Sequence, residues 1–398
     1  MLFARLILPL AALNFTNQAA RAAMGLLAPL IALEFGLSAS ELGLLAALFF
    51  AGYALAQLPV GLALDLFGVR RVQATLALVA ASGFALAALA QDPLLLAIGR
   101  GISGIGVSAG LIAMIKAAAQ WFPPGRIAAV SGAGVFLGAF GGLAATLPAQ
   151  VVLPFIGWRG VFWVLCGIAL AVSVWIALAI PAAPARQKRS LAQELAAFAR
   201  VFAHPAFLRY APAICVLSGF GFTYQGLWAG PWLRDAAGLG DEDRALVLLC
   251  YALGLMAGSL LLGQAASGLT LRGRHPMLVP LAAMALLAAM QLLLLLAPQA
   301  PLPVLGAAWA AIGFAVGGGP TGYAAIGRDF PADLQGRVAT AINFSMLVLV
   351  FVLQNVIGWI LDLWPRTAAG GWDPAGYGWA LGLTLLLQAV AMLWMARR

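Results

Sequence analysis

The sequence predicts an all-α polytopic membrane protein with twelve transmembrane helices in two pseudo-symmetric six-helix halves. Three observations carry that prediction. The 398 residues are 64% hydrophobic and only 9% charged, with mean hydropathy +1.00, well outside the range of soluble globular chains. Apolar windows of membrane-crossing length recur along the whole chain. The second half also repeats the first at a shift of 202 residues.

The first window, near 6–32, opens as "MLFARLILPLAAL", which has the look of a secretory signal. Its apolar run continues past Arg21 to Leu33, too long for a cleaved h-region, so it is read as the first span. The next five fall near 41–63, 72–91, 94–117, 127–152 and 159–180. Six more follow near 207–232, 244–265, 276–297, 303–326, 338–361 and 377–395, each bounded by Gly, Pro or charge. The longest polar stretch, Pro181 to Pro205, divides the chain into an N-terminal half (1–180), a linker (181–205) and a C-terminal half (206–398). Within the linker, Leu191, Leu195, Phe198 and Phe202 recur at helical spacing, with Arg189, Glu194 and Arg200 on other faces. That pattern predicts an amphipathic helix lying on the cytosolic membrane surface.

The net charge is +9, and the placement of the basic residues decides what it means. With a cytosolic N-terminus, Arg5, Arg70, Arg71, Lys116, Arg126, Arg186, Lys188, Arg189, Arg200, Arg209, Arg272, Arg274, Arg328, Arg337, Arg397 and Arg398 all fall on the cytosolic side. Arg159, Arg234, Arg244 and Arg366 fall opposite. This positive-inside bias puts both termini in the cytosol of a multi-pass protein of the cytoplasmic (inner) membrane. The charge therefore reports topology, and nucleic acid is not expected as a partner. Cys166, Cys215 and Cys250 lie inside apolar runs and are odd in number, which argues for small buried hydrophobes instead of a disulfide framework.

The repeat aligns Pro29 with Pro231, Gly36-Leu37 with Gly238-Leu239, Gly52 with Gly254 and Gly61 with Gly263 without a gap. After a short insertion, "WFPPGR" (Trp121 to Arg126) matches "DFPADLQGR" (Asp329 to Arg337). Parallel halves related in this way are an arrangement of secondary transporters, with a substrate site near the midplane.

Between the second and third windows, "GLALDLFGVRR" carries Gly61, Asp65, Gly68, Arg70 and Arg71. It resembles the cytosolic loop signature of the major facilitator superfamily, although Leu66 and Val69 stand where that family more often has basic residues. The resemblance implies a conformational role for these five residues, with Asp65 meeting the start of the eleventh span near Val338. It also implies one for Arg100, which occupies the place of the family's fourth-span arginine. Gly101, Gly104 and Gly106 beside Arg100 allow close helix approach. "LGAFGG" (Leu137 to Gly142) keeps the final glycines of the drug-antiporter pattern but has Gly138 where that pattern has proline. The arginines that nitrate porters carry in spans 2 and 8 are missing.

No phosphate-binding loop is present, and the only lysines are Lys116 and Lys188, so ATP hydrolysis is not the expected energy source. Lys116 reads as a residue that snorkels to the cytosolic surface. His204 and His275 stand without ligand-like spacing, and no metal or cofactor is expected. The Asp241, Glu242 and Asp243 cluster reads as a solvated loop, so the chain is not expected to be an enzyme. Every carboxylate falls in a loop or near a span end, which leaves no acid at midplane for a proton relay.

The basic residues inside the spans are Arg21 and Arg100. On a helix, Asn14, Asn17, Gln18 and Arg21 share one face, and the small residues Ala19, Ala20, Ala22, Ala23 and Gly25 let neighbours close around it. The repeat places Thr223 opposite Arg21, followed by Tyr224, Gln225, Trp228 and Trp232. The predicted substrate-binding set is Arg21, Asn14, Asn17, Gln18, Thr223, Tyr224, Gln225 and Trp228. Tyr53, Gln57, Tyr323, Asn343 and Gln354 are secondary choices. A charged group in such surroundings suits a small organic anion, moved by alternating access in a monomer held by membrane lipids. The alternative is a proton-coupled exporter of lipophilic compounds or drugs.

Overall fold

The structure is a computed structural model that describes residues 2–123, 126–182, 191–331, 334–368 and 370–396. Part of the expected linker, 183–190, lies outside the described residues, as do Asp333 and the arginines at 397 and 398. Among the described residues the secondary structure is helical, apart from one isolated bridge between Arg366 and Trp372. The helices are α1 (Leu2–Phe35), α2 (Ala39–Leu89), α3 (Pro93–Val107), α4 (Gly110–Trp121), α5 (Ile127–Ala144), α6 (Leu147–Ala179), α7 (Leu191–Phe202) and α8 (Pro205–Thr223). A π-helical turn, Tyr224–Trp228, leads into α9 (Ala229–Asp235). Then come α10 (Asp241–Leu271), α11 (Leu278–Leu296), α12 (Leu302–Gly317), α13 (Gly319–Gly327), α14 (Gln335–Leu361) and α15 (Pro374–Ala396).

Ten helical stretches among the described residues are long and apolar enough to cross a membrane. The twelve-window reading divides α2 and α6, and both carry a backbone break near the division. Gly68 breaks α2 at φ 79° and Gly157 breaks α6 at φ 64°, a left-handed conformation that glycine adopts without steric cost. Helix starts follow from local chemistry. Asp92 accepts from Leu95 N at 2.9 Å, with Pro93 at the first position of α3. Ser38 and Glu41 form a reciprocal capping box at the start of α2.

The chain forms two compact units, Met1–Gly36 with Leu44–Ser190 and Leu37–Gly43 with Leu191–Arg398. In the first, Leu6, Ile7, Leu10 and Leu13 of α1 pack with Ala113 and Met114 of α4 and Val172 and Ile176 of α6. Glycines set the closest helix crossings. A Cβ on Gly104 would collide with the Phe49 carbonyl, and one on Gly106 with the Ala80 backbone, so α2 and α3 approach backbone to backbone. Gly101 has only ordinary space around it; its part is to present a carbonyl to Gly52. The repeat partner Gly254 abuts the Ala310 carbonyl in the second unit in the same way. Large apolar side chains such as Leu33, Phe155 and Leu178 are exposed on the helices, as a lipid-facing surface requires.

Helix α7 packs on α14 and α8 within the second unit, with Ala197 and Val201 buried and Leu195 half exposed. One expectation needs correction: Cys166 and Cys215 are buried, but Cys250 is only partly so.

Candidate functional site

Each unit carries a cluster of buried polar side chains. In the first, Asn14, Asn17 and Arg21 of α1 are 7%, 4% and 4% exposed, so the one-face placement read from spacing brings them into the interior together. Gln18 is partly buried. Tyr53 of α2 joins them through a side-chain hydrogen bond with Asn17, and its hydroxyl lies within the electrostatic reach of Arg21. The Asn17 Oδ1 and Gln18 Oε1 atoms are buried and make no hydrogen bond among the described residues. Such atoms are costly unless a partner arrives. Gly138 of α5 packs directly on the Asn14 amide, where any side chain would collide. The departure from the drug-antiporter pattern at this position therefore makes room for Asn14.

In the second unit, Thr223, Gln225 and Trp228 are buried, and Thr223 Oγ1, Gln225 Oε1 and Trp228 Nε1 have no hydrogen-bond partner among the described residues. The π-helical turn inserts an extra residue over Tyr224–Trp228 and turns these side chains out of the register that an unbroken α-helix would give. Tyr224 is engaged internally. Its hydroxyl accepts from Gln291 Nε2 of α11 at 2.6 Å and lies 3.1 Å from Thr384 Oγ1 of α15, while its ring meets Trp309 edge-on at 5.8 Å. A small hollow beside it is walled by Tyr224, Trp228, Trp232, Trp309 and Tyr377.

The secondary choices divide by role. Gln57 donates to Ser108 O at 3.2 Å, and the unforeseen Gln73 donates to Ala109 O at 3.1 Å. Both carbonyls lie in the break between α3 and α4, so these amides mend a helix interruption. Gln354 does the same where the π-turn begins, donating to Thr223 O at 3.2 Å. Tyr323 donates to the Met346 sulfur at 3.7 Å, and Asn343 is partly buried. Sequence reasoning missed Gln291, Thr384 and Gln388, the last bonded to Met284 O at 2.5 Å. Their signal is a single amide or hydroxyl inside a leucine-rich run.

Of the loop signature, Gly68 is the bend, and Arg70 and Arg71 are exposed. Asp65 meets Lys116 of α4 at 2.7 Å, and the same ammonium donates to Gly61 O at 3.2 Å. This corrects the reading of Lys116 as a residue reaching only for water: α4 crosses α2 closely enough for an ion pair. Arg100 is fully buried, donates from Nη1 to Ala20 O at 3.0 Å and lies over the Phe49 ring at 4.5 Å.

Comparison with known proteins follows this geometry. The sequence profile described as Major Facilitator Superfamily matches residues 10–353. The chain is 30% identical over 168 residues to the probable sulfoacetate transporter SauU of Cupriavidus necator, covering 42% of this chain and 39% of that one. It is 38% identical over 108 residues to the uncharacterized transporter YybO of Bacillus subtilis, covering 27% of this chain and 25% of that one. The matches thus span well under half the length of either relative. Among solved structures, a bacterial homolog of the human lysosomal transporter Spinster, inward-facing and unoccupied, superimposes with a TM-score of 0.75 at 17% identity, covering 99% of this chain and 96% of that one. A D-xylose-proton symporter gives a TM-score of 0.75, 17% identity and coverage of 99% and 97%.

Proposed function

The chain belongs to the Major Facilitator Superfamily, and from that premise we propose that it carries a small organic anion across the cytoplasmic membrane by alternating access of its two six-span halves. The observation that carries the reading is Arg21, a permanent charge buried at 4% exposure in the middle of the first membrane helix, on one face with Asn14 and Asn17. A buried guanidinium is a fork for carboxylate, sulfonate or phosphate oxygens. The unspent carbonyl oxygens of Asn17 and Gln18 suit an anion that also bears an O–H or N–H. Thr223, Gln225 and Trp228 are proposed as the contribution of the second half, with Tyr224 holding that half's framework. A relative named for an organic anion, sulfoacetate, agrees with this class. Both termini are placed in the cytosol by the positive-inside bias.

The test is binding of sulfoacetate and a panel of small carboxylates and sulfonates to the purified protein, followed by counterflow in liposomes. Lysine keeps the charge of Arg21 and loses its planar fork, so Arg21→Lys should weaken affinity. Arg21→Gln should nearly abolish it, by roughly 2–5 kcal/mol for removing one partner of a desolvated charge pair. If Arg21→Gln folds and binds the best anion as tightly as the parent, the proposal fails.

A further inference from the structure

In the first unit the groove between α2 and α4 is filled from within, because Lys116 reaches across it to Gly61 O and the Asp65 carboxylate. The repeat carries this arrangement into the second unit and empties it. Gly61 corresponds to Gly263 and Asp65 to Ser267 at the 202-residue shift. Ala324 stands as far ahead of Phe330-Pro331 as Lys116 does ahead of Phe122-Pro123. Neither charge is kept. Gly263, Ser267 and Ala324 instead line a cavity of ≈ 630 Å³ between α10, α13 and Pro276.

The rest of the lining indicates what the space suits. The hydroxyls of Ser259, Ser267, Thr270 and Thr321 each donate to a carbonyl of their own chain segment, those of Leu255, Gly263, Ala266 and Gly318. Such a wall has already spent its donors, so it can lie against a hydrocarbon chain at little cost and offers little to a free anion. Leu271 and Pro320 add apolar surface. The charged lining group is Arg328, exposed at one end. Arg272 and Arg274 are exposed directly after Leu271, where Gly273 turns the chain at φ 69°. Asp329 follows Arg328, which leaves this end net positive among the described residues. An apolar groove with a cationic rim complements an amphiphile with an anionic head.

We propose that this cavity seats an anionic phospholipid, its headgroup phosphate on Arg328 and an acyl chain along α10 and α13. The leaflet is the cytosolic one, a detail that rests on the orientation proposed above; the site itself does not involve Arg21. Phosphatidylglycerol and phosphatidylcholine are offered in equal amounts to the full chain in mild detergent, and retained lipid is read by native mass spectrometry. Wild type should keep phosphatidylglycerol over phosphatidylcholine by roughly five-fold, the worth of one arginine near an anionic lipid surface. R328Q should bring the ratio close to one. The double variant S267D/A324K rebuilds the first unit's ion pair inside the cavity and should lower retention of both lipids while Arg328 stays in place. Equal retention by wild type overturns the proposal, as does a ratio unmoved in R328Q with retention unmoved in the double variant. Displacement of the lipid by soluble glycerol phosphate also overturns it, because the site would then take a free anion. The readout involves no transported substrate, so its failure leaves the organic-anion reading untouched.

Discussion

Removing the Asp362 carboxylate should loosen the first turn of α2, although 322 residues separate it from Ser40. A helix start leaves its first amide groups without intrahelical partners. Here each has one. Ala39 N donates to Asp362 Oδ1 and Ser40 N to Oδ2, both at 2.8 Å. Glu41 N donates to Ser38 Oγ at 3.2 Å, and Leu42 N closes the first helical bond to Ser38 O at 3.1 Å. Arg366 adds a bond to Leu37 O, and Gly358 of α14 packs against the backbone at Ala39 and Ser40. The acid also sits at the positive end of the helix dipole, where a negative charge contributes about 0.3–1 kcal/mol.

The magnitude follows from which amides water can reach. Ala39 is fully buried, so its N–H loses a charge-assisted bond that solvent replaces poorly, at about 1–3 kcal/mol. Ser40 N is exposed and rebonds to water, so its loss is smaller. Asp362→Ala should therefore cost about 2 kcal/mol locally, and Asp362→Asn, which keeps one acceptor oxygen, about half that. Hydrogen exchange read on the peptide covering residues 37–46 should speed up roughly thirty-fold in the alanine variant if local opening governs it. Asp373→Ala removes a carboxylate that accepts from Ala375 N at 2.8 Å ahead of α15 and should leave that peptide unchanged. Exchange in Asp362→Ala equal to wild type would refute the capping argument.

Two further outcomes follow from packing. A double-mutant cycle on Asp65 and Lys116 should give a thermal-unfolding coupling of no more than about 1 kcal/mol, since their side chains are 40% and 32% exposed; zero coupling would mean that Gly61 O alone holds the lysine. Gly104→Ala should destabilise by about 1–3 kcal/mol through its collision with the Phe49 carbonyl, whereas Gly101→Ala should sit near neutral, and equal melting temperatures for the two variants would contradict the close-crossing account.

What was legible in the sequence is what depends on one segment at a time. Hydropathy placed a boundary at Gly68 and another near Gly157, and both are backbone breaks. Helical spacing put Asn14, Asn17 and Arg21 on one buried face. The paired glycines Gly52 and Gly254 fell where helices touch. What was not legible depends on where distant segments cross. Nothing near Asp362 announces that it caps α2, and the spacing of Lys116 from Arg100 does not reveal that α2 brings Asp65 within reach. The π-turn hides inside an ordinary apolar run. Nor does the sequence announce the helix breaks that Gln57, Gln73 and Gln354 mend.

Arg21 and Arg100 are both buried, so burial alone does not mark a ligand site. Arg100 is the more deeply buried; its Nη1 donates to the Ala20 carbonyl and its guanidinium lies over the face of Phe49, while its Nε and Nη2 make no hydrogen bond among the described residues. Ala20, the residue Arg100 grips, is the immediate neighbour of Arg21 in α1. By holding that carbonyl, Arg100 ties α1 to α3 one residue before the proposed anion-binding group. Its guanidinium thereby fixes the backbone from which Arg21 projects, and a place fixed in this way is set by the packing of α1 on α3 and not by a ligand.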